Sequence, residues 1–309
     1  METVEWLSKN IFYAAIPYFL ILMTWEWNRL RSKPELAGKK GYELKDSVTS
    51  ISLGRIKLVM LAVCAGYTGW LFAWFYEHSL FKLSPLDWWT WPLLFFAEDF
   101  AYYWYHRSAH RVRMFWAEHV NHHSSEHYNL STALRQSTLG PAYTFIFYLP
   151  LAFVGFHPAA IAIQYGISLI YQYWIHTESI DKLGVLEKFM NTPSHHRVHH
   201  GSNGIYLDRN YAGILIIWDK MFGTFQPERA DIPVRYGLVH DLKTFNLPTV
   251  IFHEVRHMLV GAWNAQGIRN KFGWIFRGPE WHPNGRLLPP DHPEYDPRMI
   301  GADGAQRTA

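Results

Sequence analysis

One spacing, written twice, constrains this chain more than any other feature. HVNHH places histidines at His119, His122 and His123, and HRVHH places them at His196, His199 and His200. A third cluster, HRSAH, holds His106 and His110. On a helix, residues three and four apart share a face, so each HxxHH points three imidazoles into one small volume and HRSAH adds two. Eight imidazoles are enough for two metal ions with about four ligands each, and neutral imidazole suits iron, zinc, copper and nickel. Scatter by composition does not account for them, because twelve of the 18 histidines lie between His106 and His200.

The surroundings of these clusters are apolar. Ile11 to Trp27 is nearly all apolar and ends in Trp25, Trp27 and Arg29. That is just enough to cross a bilayer, which takes about 17–25 residues. Val59 to Tyr76 is a second candidate, and Trp88 to Tyr105 a third, although it carries Glu98 and Asp99. Pro141 to Gly155 and Ala159 to Ile175 form a pair joined at His157-Pro158, the first arm short enough to be re-entrant or interfacial. Low charge (18%) with 15 Trp and 18 Tyr fits interfacial aromatic belts better than a soluble surface. METVEWLSKN lacks a basic leader region, so the first segment is expected to be retained. The single cysteine, Cys64, allows no disulfide within the chain and no cysteine-based zinc site.

Loop charge orients the segments. Between Asn28 and Lys57 lie Arg29, Arg31, Lys33, Lys39, Lys40, Lys45, Arg55 and Lys57, and such an excess marks the cytoplasmic side. The third segment then runs inward and ends at His106, and the Pro141–Ile175 hairpin returns to end at His176. All the histidine clusters fall on the cytoplasmic face by a route that did not use them. The expected fold is all-α: an integral membrane helical bundle of about four to five membrane helices, with a cytoplasmic His-rich helical cap holding a dinuclear metal site. Its divisions would be membrane helices over 1–87, a catalytic domain over 88–226 and a polar C-terminal extension over 227–309, its last stretch from Pro279 to Ala309 weakly ordered.

Several residues near the clusters carry chemistry. Asp99 shares a helical face with Tyr103, His106 and His110, where a carboxylate would orient a bound imidazole through its other ring nitrogen. The bland alternative pairs Glu98 and Asp99 with Arg107, Arg111 or Arg113. His176, in WIHTES, sits where a ninth ligand would reach, and His195 faces about 100° away from His196. His127 and His157 have no partner at ligand spacing and read as structural. Glu126, Asn129, Arg135 and Gln136 would line a pocket or cap a helix. HEVRH, from His253 to His257, matches the zinc-protease pattern, with Glu254 as the base. In a chain this rich in histidine the pattern arises by chance, and a surface amphipathic helix is preferred. A non-catalytic metal transporter would want its ligands near the bilayer midplane rather than at one face. No nucleotide-binding glycine fingerprint, nucleophile elbow or basic, aromatic-interleaved stretch for nucleic acid is present.

The order HRSAH, HVNHH, HT and NTPSHHRVHHG, followed by NYAGILIIWDKMFGTF, resembles the fatty acid hydroxylase/sterol desaturase superfamily over roughly Asp99 to Phe225. The resemblance implies an integral membrane di-iron enzyme that uses dioxygen to hydroxylate or desaturate a lipid, be it a sterol, a fatty acyl chain or an ether lipid. It implies ligands at His106, His110, His119, His122, His123, His196, His199 and His200, with His176 as an additional one, and zinc as an alternative occupant. HTES through NTPSHHRVHHG and LIIWDKMFGTF are most similar to the tetrahydrobiopterin-dependent ether-lipid branch, and bacterial sterol C-5 desaturase-like proteins are similar too. No haem-binding cytochrome b5 segment is visible. The expected partners are the bilayer, a lipid substrate and an external electron donor, either tetrahydrobiopterin or a separate cytochrome or ferredoxin.

Overall fold

The computed structural model describes residues 1–295 other than 34, 35 and 37. The first two elements are long helices, α1 (Glu2–Ser32) and α2 (Leu44–Glu77). Glu2 and Glu5 in the first turn of α1 and Arg29 and Arg31 in its last complement the helix dipole. The Glu43 side chain caps α2 by accepting from the Asp46 N–H. Among the described residues these two are the helices long and apolar enough to cross a membrane. Only 11% of the most apolar window of α1 and 6% of that of α2 is buried, so neither is the core helix of a soluble protein. Their side chains, including Leu20, Ile21, Val59 and Val63, face outward.

α3 (Thr90–Arg111) continues past the expected end at Tyr105 and carries HRSAH in its last turns. Leu93, Phe96, Phe100 and Trp104 form its exposed stripe, and Leu94, Glu98, Tyr102, His106 and His110 lie on the buried side. A single extended residue, Val112, separates α3 from α4 (Arg113–His123), so the chain folds back at once and sets HVNHH beside HRSAH.

The expected hairpin is uneven. Its first arm is two 3₁₀ turns, Gly140–Ala142 and Thr144–Phe147, followed by a six-residue α5 (Leu149–Val154). Its second arm is a regular α6 (Pro158–Trp174), with His157 accepting from the Ala159 N–H and Pro158 starting the helix. Leu80 and Leu83 donate to Phe153 O (2.9 Å) and Gly155 O (3.0 Å), tying the hairpin tip to the chain leaving α2. Gly155, at φ +128°, lies against the Phe81 carbonyl, where a Cβ would overlap it. Leu94, Leu151, Phe156, Ala160 and Ile161 make the core between α3, α5 and α6, and α6 lies along α1.

α7 (Pro193–His199) carries most of the second HxxHH and is followed by α8 (Ile217–Met221). Beyond residue 227, in the stretch expected to be a polar extension, the chain forms two further helices. α9 (Leu247–Asn264) and α10 (Ile268–Phe276) pack on each other and on α4, and a small hairpin pairs β1 (Trp281–His282) with β2 (Gly285–Arg286). The buried Arg113 donates to Pro279 O (2.5 Å) and Trp281 O (2.7 Å) and lies over the Trp274 ring. Pro279 and Trp281, at the start of the stretch expected to be weakly ordered, are therefore held against α4, and Asp291 accepts from Gly204 N; 296–309, the rest of the expected tail, lie outside the described residues.

Candidate metal centre

The nine histidines marked by the sequence come together in two groups. One contains His106, His110, His119, His123 and His199; the other contains His122, His176, His196 and His200. Within each group one nitrogen per ring lies within 4.8 Å of every other, and all nine rings are buried. Each HxxHH divides between the groups. The i,i+4 pair His119/His123 of α4 joins the first, and His122 turns to the second. In α7 the i,i+4 pair His196/His200 joins the second, and His199 turns to the first. The α3 pair completes one group and His176 the other. The two meet where the His123 and His200 rings stack at 4.4 Å.

The nitrogen spacing is that of ligands around a common cation. Nε2 of His106 and His119 are 2.9 Å apart, and those of His119 and His123 3.3 Å. His122 and His176 approach to 3.1 Å, and His176 and His196 to 2.9 Å. Two nitrogens each about 2.0–2.1 Å from one metal, at right-angled to tetrahedral angles, stand roughly 2.8–3.4 Å apart. Backbone carbonyls set the rings. His106 Nδ1–H donates to Tyr211 O (2.8 Å), His122 to Arg135 O (3.0 Å), His176 to Gln172 O (2.7 Å) and His199 to Arg209 O (3.0 Å). A carbonyl can only accept, so the proton is on Nδ1 and the Nε2 lone pair is left facing inward. The buried Nε2 atoms of His110, His199 and His200 have no protein partner among the described residues, as ligand nitrogens should.

Burial keeps these rings neutral. Desolvation pulls His106 down to about 4 and His176 to about 3. His110, His119, His123, His196 and His200 fall well below the usual imidazole range, through desolvation first and neighbouring imidazoles second. Neutral imidazole is the form that coordinates. Among the described residues no carboxylate belongs to either group, so a bound cation would keep its full charge.

Asp99 does not reach an imidazole. It accepts from Ile214 N (2.8 Å), Leu215 N (3.0 Å) and Trp218 Nε1 (2.9 Å). The α-helical register placed it correctly on the buried face, where both its oxygens are taken up by the 214–218 segment. Asp219, which the sequence did not flag, accepts from Tyr211 N and Ala212 N at 2.8 Å each and from Thr224 Oγ1. The two carboxylates fold the strip that presents the Tyr211 carbonyl to His106. Asp208, also unflagged, lies 3.8 Å from His110 Nδ1 and is paired with Arg111. Neither aspartate has a local spacing to the histidines that could have revealed it.

The remaining candidates have other uses. Glu98 is fully buried and pairs with none of the three arginines: Arg107 reaches Tyr103 OH, Arg111 Asp208 and Arg113 Glu254. Arg135 donates to Asn121 O and Asp46, joining the end of α4 to α2. Glu126 pairs with Lys40, Asn129 reaches Gly41 O and Gln136 accepts from Lys57. His195 turns to Met190 O and the Phe225 ring, away from both groups. In HEVRH, His253 donates to Val250 O, and Glu254 holds Arg113 and His257. Replacing Glu254 by glutamine should therefore leave metal content per chain unchanged while lowering the melting temperature, measured on purified protein. A loss of bound metal would place a ligand at HEVRH.

The fatty acid hydroxylase family model matches residues 91–224. Alkylglycerol monooxygenase from Homo sapiens is 46% identical over 271 residues, covering 87% of this chain and 59% of that protein. Its counterpart from Xenopus tropicalis is 40% identical over 322 residues, covering 97% of this chain and 68% of that protein. Lathosterol oxidase from Mus musculus is 27% identical over 137 residues, 43% of each chain. The chain thus spans about three-fifths to two-thirds of the length of the alkylglycerol monooxygenases. No solved structure matches it with significance.

Proposed function

This chain belongs to the fatty acid hydroxylase family, and from that premise we propose that it is an integral membrane, oxygen-dependent lipid oxidoreductase that works with two iron ions. The observation that carries the reading is the pair of abutting histidine groups, nine buried neutral donors with no carboxylate among them. His106, His110, His119, His123 and His199 would hold one ion, and His122, His176, His196 and His200 the other. Zinc would fit the same nitrogens; the family favours iron. Iron bound there supplies the binding and reduction of dioxygen that attack on an unactivated C–H bond requires. The chain's own contribution is to fix the rings through backbone carbonyls, to keep their lone pairs free of protons and to exclude water.

Membrane placement follows the same elements. α1, α2 and α3 would cross the bilayer. The residues 140–155 limb and α6 would form a hairpin as deep as α2, since its tip bonds to residues 80–83. The basic end of α1 and the loop after it meet the histidine side of the molecule: Arg29 donates to Ser179 O, Lys39 pairs with Glu178 and Lys40 with Glu126. That contact and the positive-inside rule together favour a cytoplasmic centre.

Among lipids, the identity to alkylglycerol monooxygenases favours an ether lipid. Hydroxylation of the carbon next to the ether oxygen gives a hemiacetal, which breaks into a fatty aldehyde and an alcohol. The electrons would come from an external donor, tetrahydrobiopterin or a separate cytochrome or ferredoxin. The test is iron-loaded full-length protein in lipid nanodiscs with an alkylglycerol, dioxygen and tetrahydrobiopterin. Aldehyde formation matched to oxygen uptake is expected. Oxygen-dependent turnover of a sterol or acyl lipid, with the ether lipid untouched, would move the substrate within the family. No oxygen-dependent turnover of any lipid, with iron bound, would overturn the reading.

A further inference from the structure

α9 and α10 carry an outward apolar face that no described residue covers. On α9, Phe252, Leu259 and Trp263 recur along one helical face, and Trp263 is 82% exposed. On α10, Ile268, Phe272 and Phe276 recur every fourth residue, Ile268 at 69% exposure. The opposite faces are packed. Val250, Ile251, Glu254, Met258 and Ala262 of α9 are buried, and so is Trp274 of α10. Gly261 sits against the Trp274 ring, where any Cβ would overlap it. Lys271 Nζ donates to Trp263 O (3.1 Å), tying the end of α9 to α10. The pair is one slab with an oily outer surface.

Two observations say what covers that surface. Arg256 lies exposed within the outward face of α9, and Arg269 and Arg277 lie exposed on and just after α10, so the aromatic and aliphatic stripe is rimmed by cations. A Trp/Phe/Leu face with basic residues beside it is the pattern of a helix lying in the plane of a bilayer interface. The level of the slab agrees. Val250 and Ile251 pack on Leu53 of α2, just before Arg55 and Lys57, the last charges ahead of the uncharged run from Leu58 to Tyr76. α9 therefore starts at the depth where α2 passes from its charged first turns to its uncharged apolar run.

We propose that α9 and α10 lie in the cytoplasmic leaflet, with their apolar face among the upper acyl chains and their arginines among anionic headgroups. The inference rests on the reading of α1 and α2 as membrane spans. Both helices pack on α4, so this foot fixes the depth of His119, His122 and His123 at the headgroup level, where a lipid's reactive carbon near its polar end would present itself.

The test uses the full chain in nanodiscs of mixed zwitterionic and anionic lipid. In a Cys64→Ala background, which removes the only cysteine, an environment-sensitive fluorophore is placed by Trp263→Cys or Phe272→Cys. Val63→Cys, on the outward face of α2, reports the spanning segment, and Asp231→Cys, in the exposed loop after α8, reports water. All four positions are exposed, so labelling leaves the packed faces intact. Spin-labelled lipid should quench positions 263 and 272 several-fold more than position 231, and aqueous iodide several-fold less. Iodide quenching at 263 and 272 equal to that at 231, with position 63 still lipid-quenched, would overturn the foot and leave the spans standing. Water exposure at position 63 as well would overturn both. Shielding of 263 and 272 from iodide and lipid alike would mean that a second copy covers the face, and would overturn the lipid assignment.

Discussion

His196→Ala should cost the protein the metal of one histidine group and nearly all of its activity. His196 is one of four nitrogens in its group and lies 2.9 Å from His176 Nε2. Three rings would remain, with a buried gap in place of the fourth. Losing even a hydrogen-bond partner behind a ligand costs roughly 10–100-fold in metal affinity or activity, so losing the ligand itself should exceed that. Iron per chain should fall by about half, because the first group keeps all five of its members. His199→Ala should produce the converse loss from the first group while sparing the second. Metal analysis of the two variants beside the parent protein, with lipid turnover measured in parallel, decides the matter. Full metal content and undiminished turnover in both variants would place the active centre elsewhere.

This pair of variants also marks how far the sequence could be read. The triplets were legible because the i,i+3 and i,i+4 relation is local: it holds on any helix, wherever that helix goes. The sharing was not legible. His122 leaves its neighbours for the other group only because α7 faces α4, and that juxtaposition depends on contacts across many residues. His176 was reachable as a hairpin end, and the structure gives the reason, since its Nδ1 is held by Gln172 O one turn back on α6. The long helices α1 and α2 were legible from apolar length alone. α9 was legible only around HEVRH, as a surface amphipathic helix, and α10 was not, because prolines and charges between residues 227 and 246 and beyond 277 mark the stretch as polar. The helical period between Leu247 and Phe276 was there to be counted. HEVRH lies on α9, the helix preferred for it over a zinc site: His257 pairs with Glu254, and Glu254 answers a buried arginine from α4.

Asp219→Ala should weaken metal binding from a position that touches no imidazole. Its carboxylate accepts from two backbone N–H groups and from Thr224 Oγ1 inside the protein. Removing it leaves three buried donors to find partners, at about 1–3 kcal/mol for each that fails. That is a large share of the roughly 5–15 kcal/mol that holds a domain folded. The strip it releases, Tyr211 and Ala212, supplies the carbonyl that fixes the proton of His106 on Nδ1. A freed carbonyl lets the ring rotate and change tautomer, so iron affinity of the first group should drop by about 10–100-fold. Asp219→Asn keeps the shape and one accepting oxygen and should lie between parent and alanine in both stability and affinity. Lost stability alone does not separate a positioning role from a structural one, and Leu53→Ala provides the comparison. Leu53 is fully buried between α2 and α9, and truncating such a leucine costs about 2–5 kcal/mol. It should lower the melting temperature comparably and leave iron affinity near that of the parent. If Leu53→Ala loses iron as readily as Asp219→Ala, the aspartate contributes only general stability. If Asp219→Ala loses it far more at equal melting temperature, the ring's orientation is set from the 211–219 strip.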